Sequence, residues 1–462
     1  MSAGLPGAAL RAAHATVTRL AAEMPTAAAV GWVHTAALVR HALDNGLVDD
    51  HGSLPATLAA LAGAHPALTG LADPHVNRAL TVSAPELTPV EDLWRAHPIP
   101  DPPYRPDGRS LGDLYQALSA ESRKSRALCQ TPQFVSDLLW DLTVPDAVTA
   151  FGPGIRLIDP ACGTGHLLVE AAIRLPGALA GRPGGRHRSI EQALAAVHGV
   201  DIDPYAAQIA RYRLLTLACR ADGRRWTAGQ APADLPIQVA AADSLLDDAE
   251  PLLQRARYHV ALANPPYITV KDPVANAAIR ARYRQTCHGK FSLALPFMQL
   301  INELLVPGGF CAQLTANSFM KREFGRPFIE QYLPAYDLTW VIDTSGAYIP
   351  GHGTPTVILV HRNQPPASST VTTIQSVRGE PAAPADPARG LVWTAIRQAV
   401  DGVLSARRFA AGAAAWAAAQ QPDASAPPIV TRPRPAYQQP SLLDLLSPRP
   451  PSSPPSTTAA PV

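Results

Sequence analysis

The chain has 462 residues, with 39 Lys and Arg against 37 Asp and Glu and a formal charge of +2, which argues against both a polybasic nucleic-acid tail and an acidic disordered protein and makes any DNA contact local. Hydrophobic residues form 47% of it, ample for one large α/β domain with additions. Five scattered cysteines, Cys129, Cys162, Cys219, Cys287 and Cys311, include no C-x-x-C pair, so no disulfide framework or cysteine-rich zinc site is expected and a reducing cytosol fits. The start, Met-Ser-Ala-Gly-Leu-Pro, lacks the features of a secretion signal, and the apolar run Phe409 to Ala419 is too short to cross a bilayer. A soluble cytoplasmic protein without membrane contact is expected.

Residues 1–110 are Ala/Leu-rich with helical spacing, broken by a Pro-rich joint from His97 to Pro106, and form a helical N-terminal region with no recognisable chemistry. Between Leu111 and Leu142 lies an amphipathic helix carrying Arg123, Lys124 and Arg126, which reads as a docking element. Thr131-Pro132 then opens another helix, since Thr caps well and Pro suits a first turn. From Ile155 short aliphatic strands alternate with helices. The strands are Ile155 to Ile158, Ala196 to Val200, Ile237 to Ala241, His259 to Ala263, Phe310 to Thr315, Leu338 to Ile342 and Thr356 to Val360. The helices are Leu167 to Leu175, Ala206 to Ala218 and Leu293 to Leu305. This rhythm, over residues 111–363, predicts an α/β fold with a doubly wound, mostly parallel, seven-stranded sheet, and such sheets bind ligands at the carboxyl ends of their strands. The insert Pro176 to Ser189 reads as a surface loop. Residues 364–420 form a short helical extension, with a helix or two around Val392 to Gln420, and residues 421–462 a disordered Pro/Ser/Ala-rich tail. Within that tail, Ser441-Leu442-Leu443-Asp444-Leu445-Leu446 is either a partner-docking helix or filler.

Four motifs carry chemistry. Leu157-Ile158-Asp159-Pro160-Ala161-Cys162-Gly163-Thr164-Gly165-His166 falls between a strand and a helix, where glycines allow close approach to a ligand and free N–H groups favour an anionic or carboxylate group. It lacks the third glycine of G-x-G-x-x-G, which weighs against a dinucleotide; plain strand-to-helix geometry is the alternative. Gly199-Val200-Asp201-Ile202-Asp203-Pro204 puts an acid at the end of the next strand, where a carboxylate can accept both hydroxyls of a ribose. Helix capping suits Asp203 better than Asp201. Asp243, in Ala241-Ala242-Asp243-Ser244, is placed to receive an amine from an adenine ring, or is an ordinary strand-end acid.

The decisive motif is Asn264-Pro265-Pro266-Tyr267. Two prolines hold a rigid turn with few free N–H groups, so the Asn264 side-chain oxygen and the Pro265 carbonyl can point together as acceptors, while Tyr267 offers a flat face. Such a clamp suits a planar amino group: two accepted hydrogen bonds pull its lone pair out of conjugation and make it nucleophilic. A simple turn is the alternative.

Together these motifs resemble those of the S-adenosylmethionine-dependent, adenine-N6 DNA methyltransferases. Thr131-Pro132-Gln133-Phe134-Val135 is similar to the element those enzymes place before the cofactor loop. Three longer stretches resemble the phage-growth-limitation methyltransferases of bacteriophage-exclusion systems: Tyr267 to Asp272, Ala316 to Gly325, and Val341 to Thr356, the last reading VIDTSGAYIPGHGTPT. The resemblance covers about residues 111 to 363. It implies a methyltransferase domain in which Asp159, Ala161, Gly163 and Gly165 line the methionine end of S-adenosylmethionine, Asp201 holds its ribose, Ile202 packs on its adenine, Asp243 meets the ring amine, and Thr131 and Pro132 close the pocket. Asn264, Pro265, Pro266 and Tyr267 then grip a flipped adenine, with Tyr348 either the second aromatic of the target sandwich or a core residue. No metal is implied.

The expected partner is double-stranded DNA. Between Asn264 and Glu330 eight basic residues face four acidic ones, and Lys271, Lys290, Lys321 and Arg322 are the candidate phosphate contacts; a solvated charged face is the alternative. Enzymes of this kind carry a sizeable C-terminal region that reads DNA sequence, and little chain follows Asn363. That leaves sequence reading to a separate specificity subunit or another defence-system protein, or marks a shortened, weakly active remnant. Two rivals stand beside the DNA reading: a protein glutamine-N5 methyltransferase, since an amide is also a planar nitrogen, and a scaffold subunit of a defence complex that keeps the pocket without catalysis.

Overall fold

The computed structural model describes residues 6–82, 87–102, 105–119, 129–180, 189–376 and 378–420. The docking residues Arg123, Lys124 and Arg126, and the C-terminal tail 421–462 with Ser441 to Leu446, lie outside the described residues. Among the described residues no helix is long and apolar enough to cross a membrane.

The N-terminal region is helical: α1 (Gly7–Leu20), α2 (Thr26–Asp44), α3 (Leu54–Ala64), α4 (Thr88–Ala96) and α5 (Arg109–Leu118). Helix α2 is apolar on nearly every side and accordingly buried along most of its length. It also buries two histidines, and each finds partners. His34 Nε2 lies 2.9 Å from the Leu111 carbonyl and Nδ1 3.0 Å from the Tyr205 hydroxyl; His41 meets the Tyr212 hydroxyl at 2.7 Å and Asp101 at 3.1 Å. Burial lowers the pKa of His34 to about 4, so its ring is neutral.

Next come α6 (Gln133–Asp141), α7 (Val144–Phe151), α8 (His166–Ala180), α9 (Ile190–Ala196), α10 (Pro204–Arg220), α11 (Pro273–Arg282) and α12 (Ala294–Leu304). The strands are β1 (Leu157–Asp159), β2 (Val197–Asp201), β3 (Gln238–Ala241), β4 (Tyr258–Ala263), β5 (Leu305–Ala316), β6 (Asp337–Asp343), β7 (Thr356–Arg362) and β8 (Thr372–Ile374). They form one sheet in the order β3-β2-β1-β4-β5-β7-β6-β8. Pairings from β3 through β5 are parallel, and β7 runs antiparallel between β5 and β6.

The doubly wound α/β reading therefore stands, with eight strands rather than seven. The extra strand, β8, pairs with β6. It is three residues long, polar and half exposed, so it carries neither the length nor the alternation that reveals a strand. It lies in the segment 364–420, which was expected to be helical. That segment's helix, α13 (Leu391–Gln420), buries Trp393, Ile396 and Val400, and Trp393 packs edge-on against Phe134 at 4.7 Å. Residues beyond Asp401 form a separate unit, helical as far as Gln420.

The surface loop expected from Pro176 needs correction too. Helix α8 runs through Pro176 to Ala180. Leu175 and Leu179, one turn apart, are both buried, and their burial offsets the hydrogen bond that proline removes. Residues 181–188 lie outside the described residues.

The strand order reverses between β1 and β4, so the crevice at the carboxyl ends of β1, β2 and β4 is where the topology opens a ligand site.

Candidate active site

Three motifs meet in that crevice. Asp159 ends β1, Asp201 ends β2 and Asn264 follows β4. A cavity of about 1040 Å3 joins them, lined along its length by residues of the glycine turn, of the β2 and β3 ends and of the proline elbow. Of the residues expected to hold the cofactor, Thr131, Asp159, Ala161, Gly163, Asp201, Ile202 and Asp243 line it; Pro132 and Gly165 do not.

At the first end the backbone supplies most of the geometry. Gly163 (φ +53°) and Gly165 (φ +81°) both take left-handed conformations. A side chain at Gly165 would also bring its Cβ to 2.9 Å from that of Ala210 in α10, so this glycine serves packing behind the cavity. The Asp201 carboxylate accepts from the Gly163 N–H at 2.8 Å and from the Asp203 N–H at 2.8 Å. It thereby braces the turn, and it lines the cavity. Asp203 caps α10 by accepting from the Tyr205 and Ala206 N–H groups, as its position after the strand predicts. Asp243 accepts from the Leu245 N–H at 3.0 Å and still lines the cavity. Ile202 is 56% exposed there, an apolar surface with no covering residue of its own.

Asp159 is buried and accepts from the Ala161 N–H at 3.1 Å. Burial, opposed by that hydrogen bond and reinforced by the nearby Asp201 charge, raises its pKa to about 8. A carboxyl held neutral in this way becomes a counter-ion when a cation enters.

The helical layer, which showed no chemistry in the sequence, presses on this turn from behind. A Cβ on Gly112 of α5 would fall 2.4 Å from Thr164 Oγ1 and 2.5 Å from His166 Cε1. Buried Arg213 donates to the Thr164 carbonyl at 2.7 Å and to the Asp107 carbonyl at 2.8 Å. Burial lowers its pKa to about 10, which leaves it charged at neutral pH. The Tyr115 hydroxyl donates to Asp203 at 2.9 Å. No sequence signal marked Arg213 or Tyr115: Tyr115 lies on an ordinary amphipathic helix, and Arg213 on a helix buried on nearly every side.

At the other end side chains take over. The Asn264 amide nitrogen donates to the Cys129 carbonyl at 3.1 Å and to Thr131 Oγ1 at 3.2 Å, and the Tyr267 hydroxyl donates to Asn264 Oδ1 at 2.5 Å. Thr131 was expected to cap α6. The cap position belongs to Pro132 with no side-chain cap bond, and the Thr131 hydroxyl reaches across to Asn264 instead. Tyr267 is half-buried, and desolvation of its hydroxyl end pushes its pKa well up, so it is a neutral donor. The Pro265 carbonyl takes no hydrogen bond from a described residue. Pro266 lines the cavity; Pro265 and Tyr267 flank it in the chain and are not among the lining residues.

Tyr348 is 41% exposed and does not line the cavity. The ring from that loop that reaches the elbow is His352, tilted 46° to Tyr267 at 5.9 Å between centroids. His352 belongs to a stretch singled out in the sequence, yet nothing in its spacing assigned it a place at the site.

Of the basic residues, Lys271, Lys290 and Arg322 line the cavity, and Lys321 is exposed beside it. None of the four is in an ion pair with a described residue, whereas Arg282 and Arg326 pair with Asp248 and Glu330. Three cations without an ion partner among the described residues therefore face the cavity.

Sheet order, switch-point cavity and elbow define a doubly wound α/β domain with a ligand cleft at its switch point. Residues 195–349 match the Eco57I restriction-modification methylase family. Over 339 residues the chain is 44% identical to the adenine-specific methyltransferase PglX of Streptomyces coelicolor, covering 63% of this chain and 28% of that protein. Over 73 residues it is 44% identical to the adenine-specific methyltransferase BrxX of Escherichia coli, covering 15% of this chain and 6% of that one. Among solved structures, the Type IIL restriction-modification enzyme MmeI in complex with DNA shares the fold, with a TM-score of 0.53 at 17% identity over 82% of this chain and 60% of MmeI. The chain is therefore similar to the adenine-specific methyltransferases, as its motifs read, and the match spans 28% of the length of PglX.

Proposed function

We propose that the chain transfers a methyl group from S-adenosylmethionine to N6 of an adenine rotated out of double-stranded DNA, within a restriction-modification or phage-defence system. The observation that carries this reading is the continuous cavity from the glycine turn to the Asn264 elbow, because methyl donor and amine acceptor must share one enclosure.

The residues present fit S-adenosylmethionine. Asp159, Asp201 and Asp243 offer acceptors for a cationic, hydroxyl-bearing ligand, Ile202 offers an apolar face, and the Gln130 amide nitrogen, buried on the cavity wall, lacks a partner. When bound, this cofactor supplies an electrophilic sulfonium methyl. The chain's own part is positioning. Asn264 Oδ1 and the Pro265 carbonyl accept from the target amine and localise its lone pair. Extrusion of the base costs a few kcal/mol, which pocket hydrogen bonds and ring contacts offset. Alignment of the two reacting centres within about 3 to 3.5 Å supplies much of the rate, with no side-chain nucleophile.

The basic rim of Lys271, Lys290, Lys321 and Arg322 supports a polyanionic partner, with Tyr348 on the same side of the reading as a DNA contact. Domain limits of 111–363 for the methyltransferase part and 1–110 for its helical support follow the same reading. Sequence reading by a partner subunit, or by a region beyond this chain, agrees with the small share of PglX that it matches. Incubation of the purified chain with labelled S-adenosylmethionine and either DNA or protein tests the proposal. N6-methyladenine in the DNA is expected; label in protein glutamine, or in neither, would refute it.

A further inference from the structure

We propose that His352 is a positioning residue of the target clamp: a neutral imidazole that accepts from the Asn264 amide nitrogen and so keeps the amide oxygen turned toward the incoming amine. The inference rests on the function proposed above and adds a residue to its machinery.

The geometry fixes the ring's tautomer. His352 Nδ1 lies 3.2 Å from the Pro350 carbonyl, which can only accept, so Nδ1 carries the hydrogen. Nε2 lies 3.4 Å from Asn264 Nδ2, which can only donate, so Nε2 presents its lone pair. The Cys129 Sγ, 3.1 Å from Nδ1, is a weak acceptor and fits the same assignment. The two hydrogens of the Asn264 amide nitrogen thus face three acceptors, from Cys129, Thr131 and His352, one hydrogen being shared between two of them, and one donor, Tyr267, lies on the amide's oxygen side. Turning the amide over would set its oxygen against the Cys129 carbonyl and the His352 lone pair. Protonating His352 would set donor against donor at Nε2. Besides Cys129 and Tyr267, both neutral with raised pKa values, no titratable group among the described residues hydrogen-bonds, ion-pairs or stacks with the ring.

The loop that presents His352 is built for close approach. Gly351 sits at φ +80°, and a Cβ there would meet Gln116 Nε2 at 2.5 Å and Cys129 Sγ at 3.3 Å. The His352 N–H donates to the Ile349 carbonyl at 3.1 Å. The loop therefore packs closely at Gly351 against α5, and the ring lies between Cys129 and the elbow.

Nitrogen-15 NMR of the histidine-labelled chain, with His352 assigned by its loss in His352→Gln, reads the tautomer directly. At pH 7.5 a bare Nε2 and a protonated Nδ1 are expected, with the Nε2 signal shifting in Asn264→Ala. A protonated Nε2 or no such shift would overturn the proposal. In methyl transfer to DNA, His352→Ala should lose on the order of 10²-fold in rate, the size of effect a misplaced reactant produces, with S-adenosylmethionine affinity unchanged by calorimetry. His352→Gln, whose amide oxygen can accept in place of Nε2, should recover at least a tenth of the wild-type rate; equal losses in both variants, or full activity in His352→Ala, would refute positioning. If the wild-type chain methylates no DNA, the proposed function fails, and the NMR result still decides the role of His352 at Asn264.

Discussion

At the glycine-turn end of the cavity, orientation is set by backbone and by a buried layer behind it; at the elbow end, it is set by side chains from separate loops. The first end is held by Asp201 on the Gly163 N–H, by Arg213 on the Thr164 carbonyl and by the close fit of Gly112 against Thr164 and His166. The second is held by Thr131, Cys129 and His352 around Asn264. A backbone-built end changes shape at high cost, whereas a side-chain-built end can be dismantled one group at a time. The two ends should therefore fail differently when mutated, one through stability and binding, the other through rate.

The largest contrast is expected from Asn264→Ala. Removing the amide deletes one of the two acceptors for the target amine without touching the turn, so methyl transfer should fall on the order of 10³-fold, the upper range for loss of a positioned polar group. Calorimetric affinity for S-adenosylmethionine should stay within about twofold of wild type, since a distant site adds independently. Loss of binding alongside rate would show that the ends are not independent.

The same contrast explains what the sequence disclosed. Asp159 to His166 and Gly199 to Pro204 each carry their geometry in contiguous residues, because a strand end, a tight turn and a helix start are local. The strands around them were legible for the same reason, each a short aliphatic run. The elbow itself was equally legible, but its surroundings were not. Thr131, Cys129 and His352 reach Asn264 across sequence separations that no periodicity records. Thr131 misled because a Thr before a Pro at a helix start looks like a cap. Arg213 and His34 look like misplaced polar residues on buried helices until the partner that satisfies each is in place. Strand β8 failed to appear because pairing with β6, and no property of its own three residues, makes it a strand.

On the backbone-built end, Gly165→Ala tests rigidity. The substituted residue would have to hold φ +81° with its Cβ 2.9 Å from that of Ala210, a strain of about 1–3 kcal/mol. Chemical denaturation should report that loss of stability, and cofactor affinity should fall with it. An unchanged midpoint would show that the turn yields more freely than its packing indicates.

A smaller effect sharpens the electrostatics of that end. Asp159 keeps its proton to about pH 8 in the folded chain and releases it near 3.8 when unfolded, so the folded state binds the extra proton between those values. Stability from this group is greatest below 3.8 and is lost as pH rises toward 8. A cationic ligand favours the carboxylate, so S-adenosylmethionine affinity should rise with pH toward 8, at most about tenfold per unit, and then level off. Asp159→Asn should flatten the affinity curve and raise the thermal midpoint of the free protein at pH 8 and above. A wild-type affinity that is flat from pH 6 to 8.5 would remove Asp159 from the cofactor's surroundings.

The gentlest perturbation lies outside both ends, on the rim that belongs to neither. Lys321 is exposed, Arg322 lines the cavity, and neither is in an ion pair with a described residue, so replacing both with Ala breaks no ion pair among the described residues. If each neutralises one phosphate, the plot of log affinity against log salt for a double-stranded DNA fragment should become shallower by about 2, roughly 0.9 per contact. Because this term is indifferent to base sequence, a fragment of any sequence suffices. Affinity should drop only modestly near physiological salt, while methyl transfer at saturating DNA and cofactor binding stay near wild type. An unaltered salt slope would mean that these cations face solvent, and the basic rim would then have to be redrawn around Lys271 and Lys290.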